Sequence, residues 1–107
     1  AAYGAAKAAL LKLGESQALA WAPKVRVNSI IVGLVRTEQA HLHYGDEAGI
    51  AAVAATIPLG RMAAPEDIGN ACLYLSSPLS GSASGTSLTV HGGGEKPGFL
   101  DAANSGN

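Results

Sequence analysis

Val25-Arg26-Val27-Asn28-Ser29-Ile30-Ile31-Val32 is short, β-branched and almost unbroken in its apolar character. Such a run predicts an inner strand of a parallel sheet, covered on both faces. Upstream, residues 2–20 are rich in Ala and Leu, with Gly4 and Gly14 as the only poor helix formers and Pro23 as the stop. Helix, tight connection and strand in that order make half of a βαβ arrangement, so the fold class is α/β. Downstream, Gly33 ends the strand. Ligands of open α/β sheets bind beyond the carboxyl ends of strands, which makes 33–37 a predicted site loop. Glycine at 33 lets backbone approach a flat ligand, and Thr37 offers a hydroxyl as donor or acceptor.

The helix carries the second candidate. Residues four apart share a face, so the Tyr3 phenol and the Lys7 ammonium are expected to be neighbours. A nearby positive charge favours phenolate over phenol. A phenol so tuned exchanges a proton with a substrate oxygen. On the same helix Leu10, Leu13 and Ala20 or Trp21 can form a packed side, with Lys12, Glu15 and Gln17 toward water.

Residues 38–57 are less regular and read as a substrate lid. Asp46 is positioned to cap an Ala-rich helix that runs to about Ile57. His41 and His43 are two apart, but no cysteine or carboxylate cluster completes a metal site, so none is expected. After the loop Pro58-Leu59-Gly60-Arg61-Met62, the run Ala64-Pro65-Glu66-Asp67 places Pro at the first helical position and acids in the first turn. Ile68, Ala71, Cys72 and Leu75 give that helix its apolar face, and Cys72 is expected to be buried and inert. Turn residues 80–85 lead to a strand at 86–90 and then to His91-Gly92-Gly93-Gly94. That last run has the form of a hydrolase oxyanion loop. It lacks a following Gly-x-Ser-x-Gly elbow, and the nearest candidate, 81–85, has Ala83 at its centre. Residues 95–107 read as a tail held by Phe99.

Composition narrows the function. The 107 residues suffice for one small domain. Charged residues are 14% and the net charge is −1, with no basic stripe, so nucleic acid is not an expected partner. Apolar runs are far too short to span a membrane. Cys72 is the only cysteine, which excludes an internal disulfide and points to a reducing, cytoplasmic compartment. The chain opens without Met in the middle of a helical pattern, as the latter part of a longer polypeptide would.

Taken in order, these segments resemble the C-terminal half of a short-chain dehydrogenase/reductase. The resemblance covers residues 1–94. Tyr3-Gly4-Ala5-Ala6-Lys7-Ala8-Ala9-Leu10 is similar to that family's Tyr-x-x-x-Lys helix, and Val25-Arg26-Val27-Asn28-Ser29-Ile30 to its sixth strand. Gly33-Leu34-Val35-Arg36-Thr37 resembles the loop that holds nicotinamide, with Val32 where proline is usual. Pro58-Leu59-Gly60-Arg61 and Pro65-Glu66-Asp67-Ile68 resemble the approach to the last large helix. Gly85-Thr86-Ser87-Leu88-Thr89-Val90-His91-Gly92-Gly93 resembles the final strand and its glycine pair, with His91 where aspartate is common.

The resemblance implies a Rossmann-type, doubly wound parallel sheet whose N-terminal nucleotide-binding half is absent from this chain. Residues 1–94 would form the C-terminal half of that single domain, with the lid at 38–57 and the tail at 95–107. It implies an NAD- or NADP-dependent oxidoreductase that interconverts a secondary alcohol and a ketone. Tyr3 would be proton donor or acceptor, and Lys7 would tune it and reach the nicotinamide ribose. Gly33 would lie against the cofactor, and the Val35 N–H and the Thr37 hydroxyl would hold the carboxamide. The family's phosphate loop and its catalytic serine and asparagine would lie upstream; Ser16 and Ser29 are not placed to replace that serine. The expected partners are a small-molecule substrate and a second copy, in a homodimer or homotetramer, with the fragment alone inactive. The competing expectation is a non-catalytic, truncated relative that serves as an assembly partner.

Overall fold

A computed structural model describes residues 1–103. The elements are α1 (Ala2–Trp21), β1 (Ser29–Val32), α2 (Ala40–Tyr44), α3 (Glu47–Ala55), α4 (Pro65–Ser76), a 3₁₀ turn at Pro78–Ser80, β2 (Ser87–Val90) and α5 (Gly98–Ala103). β1 and β2 form a two-stranded sheet. The Ser29 N–H donates to the Thr86 carbonyl and the Gly33 N–H to the Val90 carbonyl, each at 3.0 Å, so the strands run parallel. The α/β class and the parallel pairing agree with the sequence. By internal contacts the chain divides into two units, Ala1–Ile31 with Ile68–Thr89, and Val32–Asp67 with the described residues from Val90 onward.

In the first unit α1 turns its smallest residues inward. A Cβ added at Gly14 would meet the Ser29 Oγ at 3.3 Å, and Ala18 is buried near Gly85. Leu11, Gly14 and Ala18 are therefore the packed stripe, at i, i+3 and i+7. The expected Leu10–Leu13–Trp21 side is instead exposed. Small side chains let helix and strand backbones approach, and a leucine ridge in their place would hold them apart.

β1 is also shorter than expected: before Ser29 the one backbone-to-backbone bond toward β2 among the described residues is the Val27 carbonyl accepting the Gly85 N–H at 2.7 Å. The Asn28 side chain stands in for a further ladder bond: Nδ2 donates to the Ala83 carbonyl at 2.8 Å, and Oδ1 accepts the Thr86 N–H at 3.2 Å. In this chain β1 pairs with β2 alone, and Ile31 and Val32 are exposed. Arg26 reaches the far end of α4, with Nη1 donating to the Ser80 and Ala83 carbonyls at 2.9 and 3.1 Å and Nη2 to the Ser77 carbonyl at 3.3 Å. These carbonyls also accept the Ser80 N–H, the Ala83 N–H and the Asn28 amide, so the guanidinium adds a second donor to each and ties Arg26 to the turn after α4. On α4 the covered side is Ile68, Ala71 and Leu75. Cys72 is exposed, against expectation, because it sits one residue past this narrow stripe.

In the second unit Ala40, Ile50, Ile57 and Met62 form the core, flanked by Tyr44, Val53 and Ala54. Asp46 caps α3 as expected, its carboxylate accepting the Gly49 N–H at 3.0 Å. The helix α2, with His41 and His43 in it, forms where the sequence suggested irregular chain. α4 starts at Pro65, and the Asp67 carboxylate accepts the Ala64 N–H at 2.8 Å, the returning half of a capping box. The Arg61 guanidinium lies 3.0 Å from the same carboxylate. That guanidinium first, and the Ala64 N–H second, hold the Asp67 carboxyl below its ordinary range. At the C-terminal end, α5 is helical where a tail was expected, and Phe99 is exposed rather than pinned. The remainder of that expected tail, 104–107, lies outside the described residues. Among the described residues no helix is long and apolar enough to cross a membrane.

Candidate active site

The first unit supplies a phenol and an ammonium. Tyr3 stands in the first turn of α1, and helical periodicity brings Lys7 over it. The Lys7 Nζ lies 5.5 Å from the Tyr3 ring centroid, within the range of a cation–π contact. Tyr3 is 75% exposed, so its hydroxyl is open to an incoming ligand. No side chain caps the start of the helix.

The second unit supplies the loop 33–37. Leu34 and Arg36 are fastened to Ala63: the Ala63 N–H donates to the Leu34 carbonyl at 3.0 Å, and the Arg36 N–H to the Ala63 carbonyl at 2.8 Å. Val35 lies between them in an isolated parallel bridge to Ala63. In such a bridge the central residue turns its own N–H and carbonyl to the opposite side. The Val35 N–H meets no acceptor among the described residues, and it is a fixed, available donor. Thr37 Oγ1 accepts the Gln39 N–H at 3.3 Å, which leaves the hydroxyl proton free to donate outward. Two donors two residues apart match the oxygen of a carboxamide. The loop could hold a ligand through a carbonyl-type oxygen.

Gly33 also has a packing role, which the sequence did not show. A Cβ there would fall 2.5 Å from the His91 Cβ and 2.9 Å from its Cα. Glycine is required because the chain after β2 comes this close. His91 turns back on its own loop, with Nδ1 accepting the Gly93 N–H at 3.1 Å. Its run of glycines thus closes a turn. Among the described residues no group of three or more His, Cys, Asp or Glu could hold a metal ion.

Two participants escaped the sequence reading. Ala63 orients Val35 through its backbone, and nothing in the sequence singles it out. Arg36, beside Thr37, pairs with Glu47 at 2.6 Å. Only charge sign could have suggested that pair.

The family model described as enoyl-(acyl carrier protein) reductase matches residues 1–95. The chain belongs to the short-chain dehydrogenase/reductase family. It is 36% identical over 94 residues to the D-erythrulose reductase of Gallus gallus, which covers 87% of this chain and 38% of that protein. The NADPH-bound short-chain oxidoreductase of Pseudomonas aeruginosa, described as having an atypical catalytic centre, superposes with a TM-score of 0.76 at 40% identity, over 87% of this chain and 38% of that one. A 4-hydroxyisoleucine dehydrogenase complexed with NADH gives 0.74 at 30% identity, over 86% and 38%. The chain spans 38% or less of the length of the curated relatives first matched. Its α/β architecture is the C-terminal part of the family's Rossmann-type sheet.

Proposed function

We propose that this chain is the proton-transfer and nicotinamide-holding part of an NAD- or NADP-dependent oxidoreductase that interconverts a secondary alcohol and a ketone. The observation that carries the proposal is the Lys7 ammonium 5.5 Å from the Tyr3 ring in a member of this family. Relatives solved with NADPH and with NADH support the cofactor class. When bound, a nicotinamide supplies or accepts the hydride. In reduction the Tyr3 hydroxyl gives its proton to the carbonyl oxygen, and in oxidation the Tyr3 phenolate takes one from the alcohol. Lys7 stabilises the phenolate in either direction and reaches toward the ribose. The Val35 N–H and the Thr37 hydroxyl hold the carboxamide, so that one ring face meets the substrate. Residues 38–57, with α2 and α3, act as the lid that admits it. A homodimer or homotetramer of a cytoplasmic enzyme completes the proposal.

The test follows the absorbance of reduced nicotinamide with the full gene product and a panel of ketones and alcohols. Tyr3→Phe is expected to lower kcat about 10²–10⁴-fold, the usual contribution of a positioned acid or base. Turnover unaffected by Tyr3→Phe sinks the proton-donor assignment. No turnover with any substrate favours a non-catalytic assembly partner.

A further inference from the structure

We infer that Arg36 is a positioning residue, which acts through Glu47 to hold the lid helix α3 onto the nicotinamide-binding loop. The inference rests on the function proposed above and assigns that site's control of substrate access. Arg36 is anchored at its backbone, where its N–H donates to the Ala63 carbonyl at 2.8 Å. It directly follows Val35 and directly precedes Thr37. Its side chain leaves that fixed point and pairs with Glu47, the first residue of α3, with Nη2 2.6 Å from Oε1. Arg36 and Glu47 also line a cavity of about 160 Å³ together with Ile50, Ala54 and Met62. The pair is thus the polar edge of the apolar seam that attaches α3.

Beyond the pair, α3 is held by the buried Ile50 and the half-buried Val53 and Ala54. α3 has nine residues, too few for a helix to persist on its own propensity. Its only buried side chain is that of Ile50. The facing side chain, Met62, is the neighbour of Ala63, which carries the loop. Packing and ion pair therefore converge on the same short stretch of backbone. The pair is exposed, at 52% and 78% for the two side chains, so it is weak and screened by salt. A weak, screened contact on a short helix biases its opening without locking it.

The experiment is a double-mutant cycle of Arg36→Gln and Glu47→Gln in the full gene product, read in two ways. Amide hydrogen exchange of 47–55 needs no substrate. Each single variant is expected to speed exchange about two- to five-fold, the range of an exposed ion pair, and the double variant no further. In steady state, Glu47→Gln is expected to raise KM about two- to five-fold with kcat within about two-fold, the signature of lost positioning. Added salt should raise the parent's KM toward that of Glu47→Gln and leave the variant's unchanged. The charge-swapped Arg36→Glu/Glu47→Arg protein should recover slow exchange and low KM. Additive exchange effects, or coupled exchange with KM unmoved, overturn the inference. A parent protein without nicotinamide-linked turnover overturns the proposed function instead, while the exchange cycle still decides whether Arg36 holds α3.

Discussion

At Gly33 the absence of a side chain does a job that no polar residue could do. The His91 Cα would lie 2.9 Å from an added Cβ, and backbone cannot step aside as a flexible side chain can. Gly33→Ala is expected to cost about 1–3 kcal/mol of stability, the range for overpacking, and to lower the thermal midpoint measured by circular dichroism. Under the proposed function nicotinamide affinity should fall with it, because a Cβ at 33 would push the loop off the His91 backbone. The neighbouring Val35 contributes through its backbone alone. Its N–H is available because Leu34 and Arg36, on either side, hold Ala63. Side-chain identity at 35 carries no signal of that.

Among the elements, α4 shows how local signals and a distant partner combine. Pro65 and the acids after it mark the start, as read from the sequence. Arg61, on the preceding loop, then pairs with Asp67 and helps hold its carboxyl below the ordinary range. A carboxyl depressed in the folded state favours folding above its unfolded pKa, and that contribution disappears as pH falls through the folded value. Asp67→Asn keeps an oxygen for the Ala64 N–H and loses the charge. Its melting temperature should fall below the parent's most at neutral pH, with the gap closing under acid conditions, below the ordinary carboxylate range of roughly pH 4. A gap that is constant with pH would show that the ion pair contributes nothing.

α1 and β1 mark the limit of what is legible element by element. α1 was recognisable from Ala and Leu, and the cap at Asp46 from its place before an Ala-rich run. The packed face of α1 was not, because hydrophobicity favours Leu10 and Leu13 while close approach to Ser29 favours Gly14. The start of β1 was not either. Asn28 looks like one polar residue in an apolar run until its amide is seen in the place of a ladder bond.

For the whole molecule the relevant fact is length. The chain spans 38% of D-erythrulose reductase and the same share of the P. aeruginosa enzyme. The site residues proposed above would hold a carboxamide and move a proton; among the described residues none is proposed to bind a pyrophosphate. The 107-residue chain by itself is therefore expected to show no turnover and no saturable nicotinamide binding by fluorescence titration. The full gene product should show both. Saturable binding by the isolated chain would mean that its own residues suffice for the cofactor.

What the amino-acid order determined by itself is whatever lies within one turn of helix or one step of a cap. Tyr3 meets Lys7, Asp46 caps α3, and Pro65 opens α4, since each depends on residues three or four apart. Tertiary structure alone decided that Val35 presents its N–H, that Gly33 must be glycine and that Arg36 meets Glu47. Each of these depends on a partner from another part of the chain. Helical periodicity is a property of neighbours, but a β-bridge or a close approach exists only once distant backbone has arrived beside it.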